Sequence, residues 1–310
     1  MDSKLLTPQE VADILKIKKS TVYEMIKRGA LPAKKMGKQL RILPDSITNY
    51  LTAETTAESE TSRLLPILNE DPEAIASPPL FILSGQDELL DLLCNKVSQQ
   101  FRNLHILRSY LDSYNGLYAM YQEQINIATC NLWDFKTDTY NLPFVQKLFP
   151  GEEICIYHLC NRIQGFYVAK GNPKNIHDFE DLVRHDITFI NREKGSGTRV
   201  LLDSMLKTKK LDPQKINGYL RSVNSALMNA SIVAKGGADC AIGPERVALQ
   251  IDKIDFMPLK EESLDLVVSK ENLHDAVFAY ILRLLKDVDF QEEIRHLKGY
   301  NIVGMGDRLY

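Results

Sequence analysis

Residues 187–202 read ITFINREKGSGTRVLL, and the order of those residues sets the reading of the whole chain. Ile187-Thr188-Phe189-Ile190 is a short β-branched and aromatic run, the pattern of a buried strand. Gly195-Ser196-Gly197-Thr198-Arg199 then opens a helix over residues 200–207. The first N–H groups of a helix have no partner within it, and the helix dipole favours negative charge there. Glycine lets the backbone approach a ligand closely, while the Ser and Thr hydroxyls add donors. The segment reads either as an anion-binding turn or as a plain flexible helix start.

The same strand–turn–helix order recurs on both sides. Leu80-Phe81-Ile82-Leu83 ends at Ser84-Gly85-Gln86-Asp87, and an apolar helix with Leu89, Leu90, Leu92, Leu93 and Val97 follows. Further strands are expected at 105–107 (ending at Arg108-Ser109-Tyr110), 125–128 (ending near Asn131), 154–158, 165–169, 240–243 and 264–268. Helices are expected at 114–124, 178–183, 228–235, 277–287 and 290–297. This alternation predicts an α/β body with mostly parallel sheets. Ligands of such sheets bind beyond the carboxyl ends of the strands. The turns at Ser84-Gly85 and at residues 195–199 are therefore candidate site loops.

The 310 residues carry a net charge of −3, with 44% hydrophobic and 25% charged side chains. Those are ordinary globular values and exclude dominant disorder. No apolar run approaches the ~20 residues needed to span a bilayer, and the first residues lack a signal pattern. Five cysteines, an odd and scattered set, fit reduced thiols in the cytoplasm. The charge is uneven. Residues 1–50 hold ten basic groups against five acids, a net of +5, which leaves −8 on the remainder. A basic head on an acidic body points to one that meets a polyanion.

That head reads as a helix-turn-helix. Thr7-Pro8-Gln9-Glu10 is a capping box with proline at the first helical position, and Val11, Ile14 and Leu15 form an apolar face. After a polar break at 16–19, Ser20 starts a second helix with Val22, Met25 and Ile26 turned inward, and Gly29 stops it. Residues 31–42 predict a β-hairpin with Gly37 near its turn, and Pro44 starts a third helix ending near Leu51. Residues 52–79 form a polar, proline-rich linker. It is interrupted by Leu64-Leu65-Pro66-Ile67-Leu68, which reads either as packing on the next domain or as a dimer contact. The domains are thus expected at 1–51, 52–79 (linker) and 80–310.

The segments Leu6-Thr7-Pro8-Gln9-Glu10-Val11-Ala12, Ser20-Thr21-Val22-Tyr23, Gly29-Ala30-Leu31-Pro32 and Arg41-Ile42 resemble the excisionase and MerR-like winged helix-turn-helix family. The resemblance implies that the second helix enters the major groove of double-stranded DNA. Ser20, Thr21, Tyr23, Lys27 and Arg28 would face DNA, and Lys34, Lys35, Lys38 and Arg41 would neutralise phosphates. The alternative is a small helical domain that binds a protein partner.

Gly171-Asn172-Pro173-Lys174, Phe189-Ile190-Asn191-Arg192, Gly195 to Asp203, Gly218-Tyr219-Leu220-Arg221 and Val233 to Asp239 resemble the periplasmic-binding-protein-like domain of molybdate- and tungstate-binding proteins. The resemblance implies a type II fold of two lobes. Lobe 1 would span about 80–167 and 265–310, and lobe 2 about 168–264. The ligand set would be Ser84, Gly85, Ser109, Asn131, Gly195, Ser196, Gly197, Thr198, Arg199, Asn224 and Ser225. The chain departs from the family at Asn131, where the family has histidine, and at residues 222–226, which lack one. Molybdate, tungstate, phosphate and organic carboxylates all stay open. Arg199 suits a carboxylate, or equally an ion pair with Asp203 at i+4.

No HExxH, GxSxG or Walker sequence is present, and the six histidines show no metal-ligand spacing. Cys155 and Cys160, an odd number of residues apart, should lie on opposite faces of a regular strand as core thiols. No catalytic residue, metal or cofactor is expected. The reading is a cytoplasmic, homodimeric, ligand-responsive DNA-binding regulator without a membrane segment. A sensor of another anion, or an enzyme or carrier tied to molybdenum-cofactor chemistry, is the alternative.

Overall fold

The computed structural model describes residues 6–15, 19–27, 31–36, 39–44, 46 and 79–310. The chain divides into two units, Met1–Ile75 and Ala76–Tyr310.

In the first unit, α1 (Pro8–Leu15) and α2 (Lys19–Lys27) are followed by a hairpin of β1 (Lys34–Met36) and β2 (Gln39–Arg41). The capping box is present: the Glu10 amide donates to Thr7 Oγ1 at 3.3 Å, and the Thr7 amide to Glu10 Oε2 at 2.7 Å. Val11, Ala12, Val22, Met25, Leu31 and Ile42 form the core. Ile14 is exposed, contrary to the sequence reading. At ~100° per residue it stands about 110° away from the direction midway between Val11 and Ala12. A bridge between Leu6 and Ile42 ties the start of the unit to the end of the hairpin. Of the third helix, Pro44 and Ser46 are helical. The rest of it, the glycines at 29 and 37, and the linker with Leu64 to Leu68 lie outside the described residues.

In the second unit β3 (Leu80–Ser84), α3 (Leu89–Gln100), β4 (His105–Ser109), α4 (Ser113–Tyr121) and β5 (Ile127–Cys130) alternate. The ribbon β6 (Trp133–Asp134) and β7 (Thr139–Tyr140) and helix α5 (Leu142–Leu148) lead into β8 (Ile154–Ala169). Then come β9 (Asn191–Arg192), α6 (Gly197–Thr208), β10 (Ser222–Val223), α7 (Ala226–Ala234), β11 (Cys240–Pro244) and α8 (Glu245–Ala248). β12 (Ile254–Ser269) returns, and α9 (Ala276–Leu285) and α10 (Val288–Arg295) close the unit.

The main sheet has the order β11-β8-β12-β5-β3-β4. It is mixed rather than mostly parallel. β3 pairs parallel with β4 and β5, but β12 is antiparallel to β5 and β8, and β11 is antiparallel to β8. The cause is two 16-residue strands, β8 and β12, that run out and back between the lobes. The separate strands expected at 154–158 and 165–169 are one strand, in which Asn161, Arg162 and Gln164 stand between the two apolar runs. β5 pairs with the lobe 1 half of β12, and β11 with the lobe 2 half of β8.

Lobe 1 packs α3, α9 and α10 on one face of the sheet and α4 and α5 on the other. Lobe 2 gathers Phe166, Val168, Phe189, Leu202, Leu206 and Ile242 in one core and Tyr167, Ile190, Ala230 and Val233 in another. Phe166 and Tyr167 of β8 thus pack in the cores of lobe 2. Leu264 pairs with Cys160 but Asp265 with His158, so Leu159 is an extra residue in β8. This bulge reverses the alternation. It puts Cys155 and Cys160 in the same core, not on opposite faces. Among the described residues no helix is long and apolar enough to cross a membrane.

Candidate functional site

A cavity of about 450 Å³ lies between the lobes of the second unit. From lobe 1 it is lined by the turn Gly85-Gln86-Asp87, by Asp112 and Ser113, and by Asn131. From lobe 2 it is lined by Arg192, Ser196-Gly197-Thr198 and Asn224-Ser225-Ala226. Arg162 and Gln164 of β8 form the floor. Both glycine turns singled out in the sequence therefore face one space.

Three helices begin at this space. Asp112 caps α4 (Asn115 N to Oδ1, 3.0 Å), Ser196 caps α6 (Arg199 N to Oγ, 3.2 Å) and Ser225 caps α7 (Met228 N to Oγ, 3.5 Å). Their dipoles direct three positive ends into the cavity. Arg192, at the end of β9, is 5% exposed. Its Nε and Nη2 donate to Glu193 at 2.8 Å, and Nη2 donates to Gln86 Oε1 at 2.5 Å. Burial alone would raise the Glu193 carboxyl, but the Arg192 guanidinium outweighs it and holds it below the usual range. Asp112 goes the other way. Burial raises it, the nearby Glu193 charge adds to the rise, and the Asn115 donors offset only part.

The floor is a continuous buried network. Arg162 binds Asp87 and Glu262, and Tyr300 donates to Asp87 Oδ1 at 2.9 Å. Gln164 Nε2 and Asn131 Nδ2 donate to Glu262 at 2.8 and 2.7 Å, while Ser113 Oγ donates to Asn131 Oδ1 at 2.6 Å. Every member has a partner, the condition under which buried polar groups rigidify a site.

The lobes touch directly. The Tyr114 amide donates to the Gly195 carbonyl at 3.0 Å, and Arg246 Nη2 donates to Glu88 at 3.1 Å. A Cβ on Gly197 would come within 2.4 Å of the Asn131 amide, so only glycine permits this approach. Gly85 has φ +151°, and a Cβ there would meet Thr129 Oγ1 at 1.9 Å.

Of the residues proposed from the sequence, Gly85, Asn131, Ser196, Gly197, Thr198, Asn224 and Ser225 line the cavity. Four are not among its lining. Ser84 is buried on the last position of β3, 3.3 Å from where a Cβ on Gly116 would stand, because strand alternation turns it under α4. Ser109 pairs with Ser84 across the ladder, and its carbonyl accepts from the Gly85 amide at 2.9 Å. Gly195 supplies its carbonyl to Tyr114. Arg199 is spent on its own helix: Nε donates to Asp203 at 2.8 and 3.0 Å, and the guanidinium lies over the Tyr219 ring at 4.4 Å.

Asp112, Arg192, Gln86, Arg162 and Glu262 were not proposed. Asp112 was legible as a helix cap, in the short turn between β4 and α4. Arg162 and Glu262 were legible only as polar interruptions of strands, since their meeting depends on the pairing of β8 with β12.

In the first unit Tyr23 is exposed and Thr21 half-buried on α2, and Lys34 stands opposite Arg41 on the hairpin. Ser20 and Lys27 belong to α2 and Lys35 to β1, whereas Arg28 and Lys38 lie outside the described residues.

A helix-turn-helix domain model matches residues 5–55, and the model of the PBP superfamily domain matches residues 94–286. The chain belongs to the PBP superfamily. It joins that PBP-like, type II domain to an excisionase-like helix-turn-helix domain. It is 37% identical over 294 residues to YvgK, an uncharacterized protein of Bacillus subtilis (strain 168), covering 95% of this chain and 94% of the relative. The PBP fold is also that of a putative phosphate ABC transporter substrate-binding protein with bound phosphate from Clostridium perfringens. The TM-score is 0.54 at 12% identity, covering 72% of this chain and 98% of that one. The ancestral amino acid-binding protein AncCDT-1 gives a TM-score of 0.51 at 15% identity, covering 71% and 95%. At such identities these two likenesses concern the fold alone.

Proposed function

We propose that the chain is a transcription regulator of the cytoplasm, whose helix-turn-helix binds double-stranded DNA and whose PBP domain senses a small organic acid. The observation that carries this reading is the convergence of three helix starts and a buried arginine on one cavity, in a chain that also holds a DNA-binding unit. The ligand favours one arrangement of the lobes by its differential affinity, and that arrangement changes DNA binding. Two copies of the chain would read paired half-sites ~34 Å apart, with α2 in the major groove and the Lys34–Arg41 hairpin on the backbone.

Molybdate and tungstate, the ligands of the proteins it resembles in sequence, fit less well than an organic acid. The cavity, about 450 Å³ between the lobes, has room for a ligand larger than a five-atom oxyanion such as molybdate, tungstate or phosphate, which supports the organic acid. No observation favours an enzyme or carrier reading.

Two measurements test the proposal. Binding to the chain's own promoter, followed against salt, should weaken steeply as counterions are recovered. A flat salt response would remove the phosphate-driven DNA contact. A thermal-shift screen with molybdate, tungstate, phosphate, sulfate and organic acids should find its response among the organic acids. Stabilisation by molybdate or tungstate alone would restore the inorganic reading.

A further inference from the structure

The charges around the cavity do not suit a bare anion. Three guanidiniums line it, from Arg162, Arg192 and Arg246. Each is already matched: Arg162 by Asp87 and Glu262, Arg192 by Glu193, and Arg246 by Glu88. Asp91, the fourth lining acid with Asp87, Glu88 and Asp112, is matched by Arg108 from behind.

Asp112 is the exception. It is 7% exposed, and no cationic side chain pairs with it among the described residues. The donors that reach it come from the first turn of its own helix, Asn115 N at 3.0 Å and Asn115 Nδ2 at 2.6 Å. A carboxylate can accept about four hydrogen bonds, so capacity remains. Gly195 of the opposite lobe leaves it room: a Cβ there would come within 2.5 Å of Oδ1. The start of α4 meets part of that charge, and a cation arriving with the ligand would supply the counter-charge that no side chain gives it. The same cavity offers the starts of α6 and α7 to an oxygen-rich end.

On the reading of the cleft as a ligand sensor, we infer that its ligand is a zwitterion, an amino acid or betaine-like solute. Its carboxylate meets the starts of α6 and α7, and its cationic nitrogen meets Asp112. Burial holds the Asp112 carboxyl above its ordinary range, as an acid that lacks its counter-charge should be.

The test uses the full-length chain and Asp112→Asn, with Asp112→Ser as a second variant. Asn and Ser both cap helices well, so α4 keeps its start while the charge is lost. Probes are the standard amino acids, glycine betaine, phosphate, sulfate, molybdate and tungstate, read by thermal shift and calorimetry. At least one zwitterion should bind the parent chain, and both variants should weaken it tenfold or more. A response to inorganic anions without one to zwitterions overturns the inference and leaves a sensing regulator standing. Unchanged zwitterion affinity in the variants also overturns it, and so does silence from every zwitterion. The regulator reading falls separately, on the DNA-binding measurement.

Discussion

Asp112 shows how a single side chain combines local and functional roles. As a cap it satisfies an orphan amide of α4, which its position just ahead of a helix made legible. That it faces Gly195 across a cleft was not legible, since the two lie in different lobes. Its raised carboxyl fixes a pH dependence. A group whose folded value lies above its ordinary one, 3.8 here, contributes stability at pH below that value and loses it as pH climbs through the folded value. Asp112→Asn should therefore gain on the parent chain as pH rises from about 4 through the folded value and then level off. Urea melts of both chains across that range check this, and a gain that shrinks with rising pH would contradict it. At Gly85 the prediction is one of space. Gly85→Ala should cost ~2 kcal/mol or more, since its methyl overlaps Thr129 in a backbone conformation that side chains avoid. An unchanged urea midpoint would show that β3 and β5 can move apart there.

Among the elements, the sequence was most informative where periodicity and caps agree. The capping box on α1, the inward face of α2, the hairpin and the Gly-Ser-Gly-Thr start of α6 all stand where the residues placed them. It misled where a polar residue served the site instead of ending a strand. Arg162 and Gln164 look like a loop until β12 brings Glu262 beside them. The Leu159 bulge likewise left no local signal, because a bulge is defined by the partner strand. The start of α6 yields its own prediction. Gly197→Ala puts a methyl against Asn131 and should act as a wedge between the lobes. The variant should fold with near-parental stability, occupy a larger radius of gyration in solution scattering, and bind ligand at least tenfold more weakly. Parental scattering together with parental affinity would show that the contact is not required for closure.

For the whole molecule, the pairing of a DNA-binding unit with a two-lobed receptor makes a thermodynamic demand. If ligand changes DNA affinity by some factor, DNA must change ligand affinity by that same factor. A coupling of ~1–3 kcal/mol corresponds to about 5–150-fold. Calorimetric ligand titrations with and without promoter DNA, set beside DNA titrations with and without ligand, should return one factor. Two different factors would mean that ligand and DNA act on separate populations. The connection across the receptor also has a mechanical consequence. β8 and β12 stay hydrogen-bonded to each other for nearly their full length, from Ile254 opposite Ala169 to Ser269 opposite Ile154. The lobes are thus joined by a leaf spring, not by a pair of strings. Flexing it bends both strands together, so sliding of one strand past the other is resisted by the shared ladder while bending across it stays soft.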